Sequence, residues 1–426
     1  MGRSLLYPPP LPCNSDDGDK LQEYSDQSKS SSSSSSFTSQ LSLPSVPSLT
    51  PHSQTLEHAA TSAAAHHHCL ATLKGHSSYI FSLSLAGKHL YSGASNGEIR
   101  AWDRYPSSST HSYNTVTEGH NAVKSIAVLG EKLITAHQDH RIRIYKIHNN
   151  QKYRLITTLP TATDSCMRLF SAKNYVEIRR HVKRTWVHHV DAVSSLALSE
   201  NGSLLYSVSW DRSIKVWRTS DFKCVESLHN AHEDAINAVV LSSDGGHFYT
   251  CSADKTIKVW KKQEGTKKVK HALVCTLEKH SSSVNALALG GDGSVLYSGA
   301  CDRSIIVWEK GGGAAMWAVA GALRGHKKAI LCLGVVSDLV CSGSADKTVR
   351  VWRRGCGNSY SCLAVLEGHN GPVKCLTAAL DHNYNYHNNN NNNNNNNINN
   401  CGQNSYLVYS GGLDSDIKVW QIRVSS

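Results

Sequence analysis

Histidine, a hydroxyl residue and aspartate recur together along this 426-residue chain, the side-chain types from which a hydrolytic nucleophile is assembled. The sets are His189, Ser207 and Asp211; His232, Thr250 and Asp254; His280, Ser298 and Asp302; His326, Ser342 and Asp346; and His369, Ser410 and Asp414. Each ends in a tryptophan: Trp217, Trp260, Trp308, Trp352 and Trp420. Catalysis needs one such set, with a free nucleophile and an oxyanion site. Five copies, each carrying an indole, suit a buried hydrogen-bond chain instead: the Asp fixes the imidazole tautomer, the ring reaches the hydroxyl, and the indole N–H is satisfied. No catalytic residue is assigned, and the chain is read as a non-enzyme. Two earlier units depart from the pattern. Asn96 stands at the Asp position of the first and Tyr145 at the Trp position of the second, so both are expected to be less tightly held.

These residues sit in a repeated phrase. YSVSWDRSIKVW (Tyr206–Trp217) returns as YTCSADKTIKVW, YSGACDRSIIVW, CSGSADKTVRVW and YSGGLDSDIKVW, with weaker copies YSGASNGEIRAW and ITAHQDHRIRIY upstream. Each is a short apolar strand, an Asp-centred turn and an alternating strand. A histidine precedes each copy, at His76, His120, His189, His232, His280, His326 and His369, in steps of 44, 69, 43, 48, 46 and 43 residues. Self-similarity at such a period means one array of supersecondary units. Each unit reads as four short strands, for example Val193–Leu198, Ser203–Ser209, Ser213–Arg218 and Phe222–Leu228. One such meander has two exposed edges and cannot stand alone.

The irregular steps mark insertions. The 69-residue step carries an insert at 160–188, in which Met167, Leu169, Phe170, Tyr175 and Trp186 alternate with Arg168, Arg179, Arg180, Lys183 and Arg184. It is expected to be ordered. The last unit is lengthened at 380–404 by a loop with an asparagine run, where added length costs little entropy. Residues 1–66, with prolines at 8–10 and a serine run at 30–36, cannot bury enough apolar surface to offset ordering and are expected to form a disordered tail. The array then occupies 67–425.

Net charge is +11, from 44 basic and 33 acidic side chains, and the excess lies outside the acidic tail. That permits acidic partners without naming one. Thirteen scattered cysteines without a C-x-x-C pair fit a reducing compartment, so a cytoplasmic or nuclear monomer is expected. No run approaches the ~18 apolar residues of a membrane span. The histidines lack the close spacing of zinc or H-E-x-x-H sites, and neither cofactor nor metal is expected.

The repeats resemble the WD-repeat family, whose signature is Gly-His early and Trp-Asp late. Gly precedes His76, His120, His326 and His369, and a literal Trp-Asp occurs at Trp102–Asp103. The resemblance implies an all-β, seven-bladed β-propeller in which Cys69–Leu73 pairs with the last strand near Ile417–Gln421 to close the ring. It also makes the five His–Ser/Thr–Asp–Trp sets structural tetrads. The insert, with KNYVEIRRH ahead of the third unit, looks like that of plant Jingubang-type WD-repeat proteins, which implies a regulatory protein and no reaction.

The expected function is therefore a protein-interaction scaffold. By the resemblance, the Asp turns lie on one rim around the central channel. Arg212, Lys255, Arg303 and Lys347 follow those Asp residues, either as a cationic ring or as ordinary turn chemistry. Trp210 replaces the small or aliphatic residue of neighbouring units, as an interface anchor or as packing beneath the insert. Together with Arg212, the insert residues Arg179, Arg180, Lys183, Arg184 and Trp186, and Trp210, are the candidate partner-binding set. Two alternatives stand beside the scaffold. One is a cullin-ligase substrate receptor, for which the arginine after Trp102–Asp103 is displaced by one residue at Arg104. The other is a nucleic-acid binder using the basic insert, which lacks the accompanying RNA-binding signatures.

Overall fold

The structure is a computed structural model that describes residues 46–50, 65–105, 113–117, 119, 121–148, 152–161, 175–179, 182–265, 268–311, 317–355, 359–381 and 403–425. Seven four-stranded antiparallel sheets form the blades of a propeller. In the third blade the strands are Val193–Leu198, Leu204–Ser209, Ile214–Arg218 and Cys224–Leu228, innermost first. Alternation puts Tyr206, Val208, Ile214 and Val216 into the contact with the fourth blade, where they meet Ile236, Val239 and Phe248. Each blade thus completes its core on a neighbour, which is why one meander alone would be unstable.

The seventh blade joins the two ends of the chain. Its first three strands are Val373–Leu380, Gln403–Gly412 and Ile417–Ser425, and its outermost is His66–Leu73. Leu73 lies opposite Ile417 and Cys69 opposite Trp420, the pairing expected of a closed ring. The strand begins three residues earlier than expected, with His66 opposite Arg423.

One part of the expected tail is ordered. Val46–Thr50 lie along the outer edge of the fifth blade, because backbone groups of that edge strand accept and donate to them. Residues 1–45 and 51–64 lie outside the described residues, as does the asparagine run within 380–404. Of the 160–188 insert, Tyr175–Arg179 and Val182–Thr185 form a separate two-stranded hairpin. Among the described residues no helix is long and apolar enough to cross a membrane.

Candidate functional site at the channel mouth

The turn between the second and third strands of each blade builds one end of the ring. The residue before the Asp position donates its backbone N–H to the carbonyl just ahead of the inner strand in all seven blades, as Trp210 does to Ala192 at 3.1 Å. The Asp carboxylate accepts the N–H two residues on, as Asp211 does from Ser213 at 2.9 Å. The residue between them is forced to positive φ: Arg212 at 66°, Lys255 at 71°, Arg303 at 67° and Lys347 at 72°. Backbone geometry alone therefore accounts for where those four cations stand.

The tetrads lie beneath this rim. His280 Nδ1 is 2.8 Å from Asp302 and its Nε2 2.8 Å from Ser298 Oγ, which also accepts Trp308 Nε1–H at 2.8 Å. The same three bonds join the members around His189, His232, His326 and His369, with the His–hydroxyl distance 2.8 Å each time. Ser207, Thr250, Ser298, Ser342 and Ser410 are all fully buried. With Nδ1 protonated toward the carboxylate, the hydroxyl donates to Nε2 and accepts the indole, so every group is satisfied. Burial would raise the Asp302 carboxyl, but the His280 bond and Ser304 outweigh it and hold it at about 2.

The first blade departs from expectation. Asn96 is not the acidic member; Glu98 is, reaching His76 Nδ1 at 3.0 Å, while His76 Nε2 and Trp102 Nε1 meet Ser92 Oγ at 2.7 Å each. A side chain longer by one methylene, two positions on, puts its oxygen where Asp oxygens stand elsewhere. The network is complete, and the expectation of a loosened first blade rested on a motif position that does not decide it. The second blade is rewired. His137 Nε2 meets Thr135 Oγ1 at 2.7 Å and its Nδ1 meets the Asn121 carbonyl at 3.2 Å. Asp139 is claimed by Arg143 at 2.5 and 3.1 Å, and His120 lies outside the described residues.

At the channel wall, the second residue of each inner strand differs around the ring. Ser194, Asn237 and Asn285 bond the first inner-strand carbonyl of the next blade: Ile236, Val284 and Ile330, at 2.5, 2.8 and 2.8 Å. The equivalent residues of the seventh, first and second blades are Lys374, Phe81 and Lys124. Lys124 Nζ lies 4.3 Å from the Phe81 ring centroid and 5.0 Å from that of Trp210. Cation–π attraction holds it there. Burial, with the Lys374 charge beside it, lowers its pKa to about 8. Neither lysine makes an ion pair among the described residues. Tyr79, 51% exposed, stands just ahead of the same inner strand as Phe81.

The sequence-derived candidates are scattered differently from expectation. Trp210 stands at the rim turn of the third blade, with Lys124 Nζ 5.0 Å from its ring centroid. Trp186 is half-buried against the core shared by the second and third blades, and its carbonyl accepts Lys215 Nζ at 2.6 Å, so it anchors the end of the insert. Arg179, Lys183 and Arg184 lie on the hairpin strands, while Arg180 lies outside the described residues. Arg104 Nη2 is bound to the Leu380 carbonyl at 3.2 Å. Sequence reasoning missed Lys124, Lys374 and Phe81. Their signal was a break in the polar series Ser194, Asn237, Asn285, legible only once the inner strands are aligned. No group of three or more His, Cys, Asp or Glu disposed to hold a metal occurs among the described residues.

The family model of the WD domain, G-beta repeat, matches residues 67–103, 180–218, 222–261, 271–309, 317–353 and 360–421. The chain belongs to the WD40 family. The stretch left unmatched between 103 and 180 contains the rewired second blade. The WD repeat-containing protein pop2 of Schizosaccharomyces pombe is 26% identical over 175 residues, which cover 37% of this chain and 23% of that protein. The match thus spans about a quarter of the relative's length. The crystal structure of the WD40 beta propeller domain of Doa1 superposes with a TM-score of 0.59 at 20% identity, covering 83% of this chain and 96% of that one. At that identity the likeness concerns the fold.

Proposed function

We propose that this propeller is a non-catalytic interaction scaffold that takes an acidic segment of a protein partner at the channel mouth between its seventh and third blades. The observation that carries the reading is Lys124, held between Phe81 and Trp210 with Lys374 beside it and no carboxylate among the described residues paired to either. An acidic side chain entering there would meet two cations in a partly desolvated, aromatic-walled site, where charge complementarity gives specificity. A closed ring of packed blades keeps that site in place, so little ordering entropy is lost on docking. WD40 propellers generally act as protein-interaction scaffolds. The KNYVEIRRH insert supports the narrower reading of a regulatory protein of the plant Jingubang type, with the basic hairpin as a second contact for the same partner.

The test is affinity capture with mass spectrometry from extract, with and without nuclease. It uses the intact chain, the Lys124→Gln/Trp210→Ala variant, and a variant with Arg179, Arg180, Lys183 and Arg184 changed to Glu. The expected result is loss of the same proteins from the channel variant at unchanged melting temperature, with nuclease making no difference. Retention of every partner by that variant overturns the site. Clearance by nuclease alone makes the insert a nucleic-acid contact, and a cullin adaptor on all three baits makes the chain a ligase receptor.

A further inference from the structure

The fifth blade carries a second site, distinct from the channel mouth and on the outside of the ring. Its outermost strand, Trp317–Leu323, reads WAVAGAL, and its second half is built from Ala320, Gly321 and Ala322. The corresponding strands of the third, fourth and sixth blades, CVESL, HALVCTLE and YSCLAVL, carry larger side chains along that edge. An edge strand presents unpaired backbone groups, and small side chains let another chain approach closely.

Here another segment has done so. Leu49 donates its N–H to the Ala322 carbonyl at 2.9 Å, and Ala322 donates to the Pro47 carbonyl at 2.9 Å, a parallel bridge centred on Ser48. The Leu49 carbonyl then accepts Tyr360 N–H of the sixth blade at 3.2 Å, and Arg324 Nη2 donates to the Val46 carbonyl at 3.1 Å. Val46 packs on the core between the fourth and fifth blades, and Leu49 on the core between the fifth and sixth. Gly321 is required for this approach: a Cβ there would overlap Leu49 Cγ and lie 3.0 Å from the Pro47 oxygen. Backbone pairing with alternate side chains in pockets is how β-augmentation reads a peptide. Pro47 suits it, because its missing N–H falls where the edge asks only for its carbonyl.

We propose that this edge is a binding site for extended peptides of the form Val-Pro-x-Leu, that residues 46–50 are its tethered occupant, and that a partner segment of the same chemistry displaces them. The tether between Thr50 and the closing strand at His66 is short enough to hold the segment at roughly millimolar effective concentration. A competitor therefore meets an occupied groove, and releasing the tethered segment exposes the full affinity of the site.

The test uses the full chain and a labelled synthetic peptide of residues 44–51, followed by fluorescence anisotropy. The Val46→Asp/Leu49→Asp chain, whose own segment is expelled, is expected to bind the peptide at least about tenfold more tightly than the unaltered chain. The same peptide with Leu49→Asp is expected not to bind either protein, a control independent of any protein variant. Adding Gly321→Val to the double variant is expected to abolish binding. Equal affinity for the unaltered and double-variant chains, no binding to either, or undiminished binding of the Leu49→Asp peptide would each overturn the proposal. None of these outcomes touches the channel mouth, so the two sites fail or stand separately.

Discussion

The first and second blades both lack a literal motif residue, yet they end in different states. In the first, Glu98 takes over from Asn96 and the chain of bonds from carboxylate to His76, Ser92 and Trp102 is intact. In the second, the ring that meets Thr135 is His137, its other nitrogen finds only a backbone carbonyl, and Asp139 is spent on Arg143. What a blade needs is an acceptor, an imidazole, a hydroxyl and an indole within reach of one another. Which position in the chain supplies each is secondary, and among the described residues the second blade shows no such arrangement even though its Asp is in place.

The largest test of that contrast is to remove the acid from each blade. Glu98 and Arg100 side chains are only about a tenth exposed and the His76 side chain is fully buried, so Glu98→Ala removes the acid that two buried groups share. The expected cost is about 3–5 kcal/mol by chemical denaturation. Asp139 and Arg143 are each about a fifth exposed, and Asp139→Ala is expected to cost about 1 kcal/mol. Equal costs would mean that the first blade is not held by its network.

Titration sharpens the same comparison. Burial lowers both His76 and His137 to about 4, only partly opposed by Glu98 in one case and the Asn121 carbonyl in the other. The unfolded chain takes up these protons near pH 6.5, so the contribution is complete above 6.5 and is lost as pH falls toward 4. Each ring can account for at most about 3 kcal/mol across that window. Asp302 and Asp414, held at about 2 against burial by their histidines, add a second loss that begins below about pH 4. His137→Gln is expected to flatten the 4–6.5 limb by one proton and leave the acid limb alone. An unchanged slope would show that His137 is already charged when folded.

A rescue tests the first blade from the other side. Asn96→Asp in the Glu98→Ala background restores a carboxylate at the turn position used by five other blades, and is expected to recover about 1–2 kcal/mol. Failure to recover anything would mean that an acid at position 96 cannot reach His76, although Asn96 Oδ1 already accepts the Glu98 N–H at 3.1 Å, as the turn Asp does from the corresponding N–H elsewhere.

Much of the architecture was legible because it follows from local periodicity repeated many times. The third-blade strands fall within two residues of where alternation and the Asp turn put them, and the closing strand pairs where ring closure demands. The candidate site was legible only in part. Trp210 was marked by its contrast with Ala253, Cys301 and Ala345, a comparison made within one motif. Lys124 and Phe81 were not, because their meaning depends on residues 43 apart in the chain meeting across a blade junction. The packing of Trp186 was hidden for the opposite reason: an aromatic in a basic insert gives no sign of the core its half-buried ring rests on.

The sequence by itself determined seven units and their strands, since each follows from residue type and spacing within one repeat, while the joining of the two ends and the five tetrads came with the resemblance to the WD-repeat family. Only the tertiary structure decided that Glu98 could replace Asn96, that two lysines share one sector of the channel, and that Val46–Thr50 leave the tail for the fifth blade. Each depends on distance through space between segments whose separation along the chain carries no signal. A carboxylate, a cation or an edge strand acts on whatever lies within a few ångströms, and folding alone brings those neighbours together.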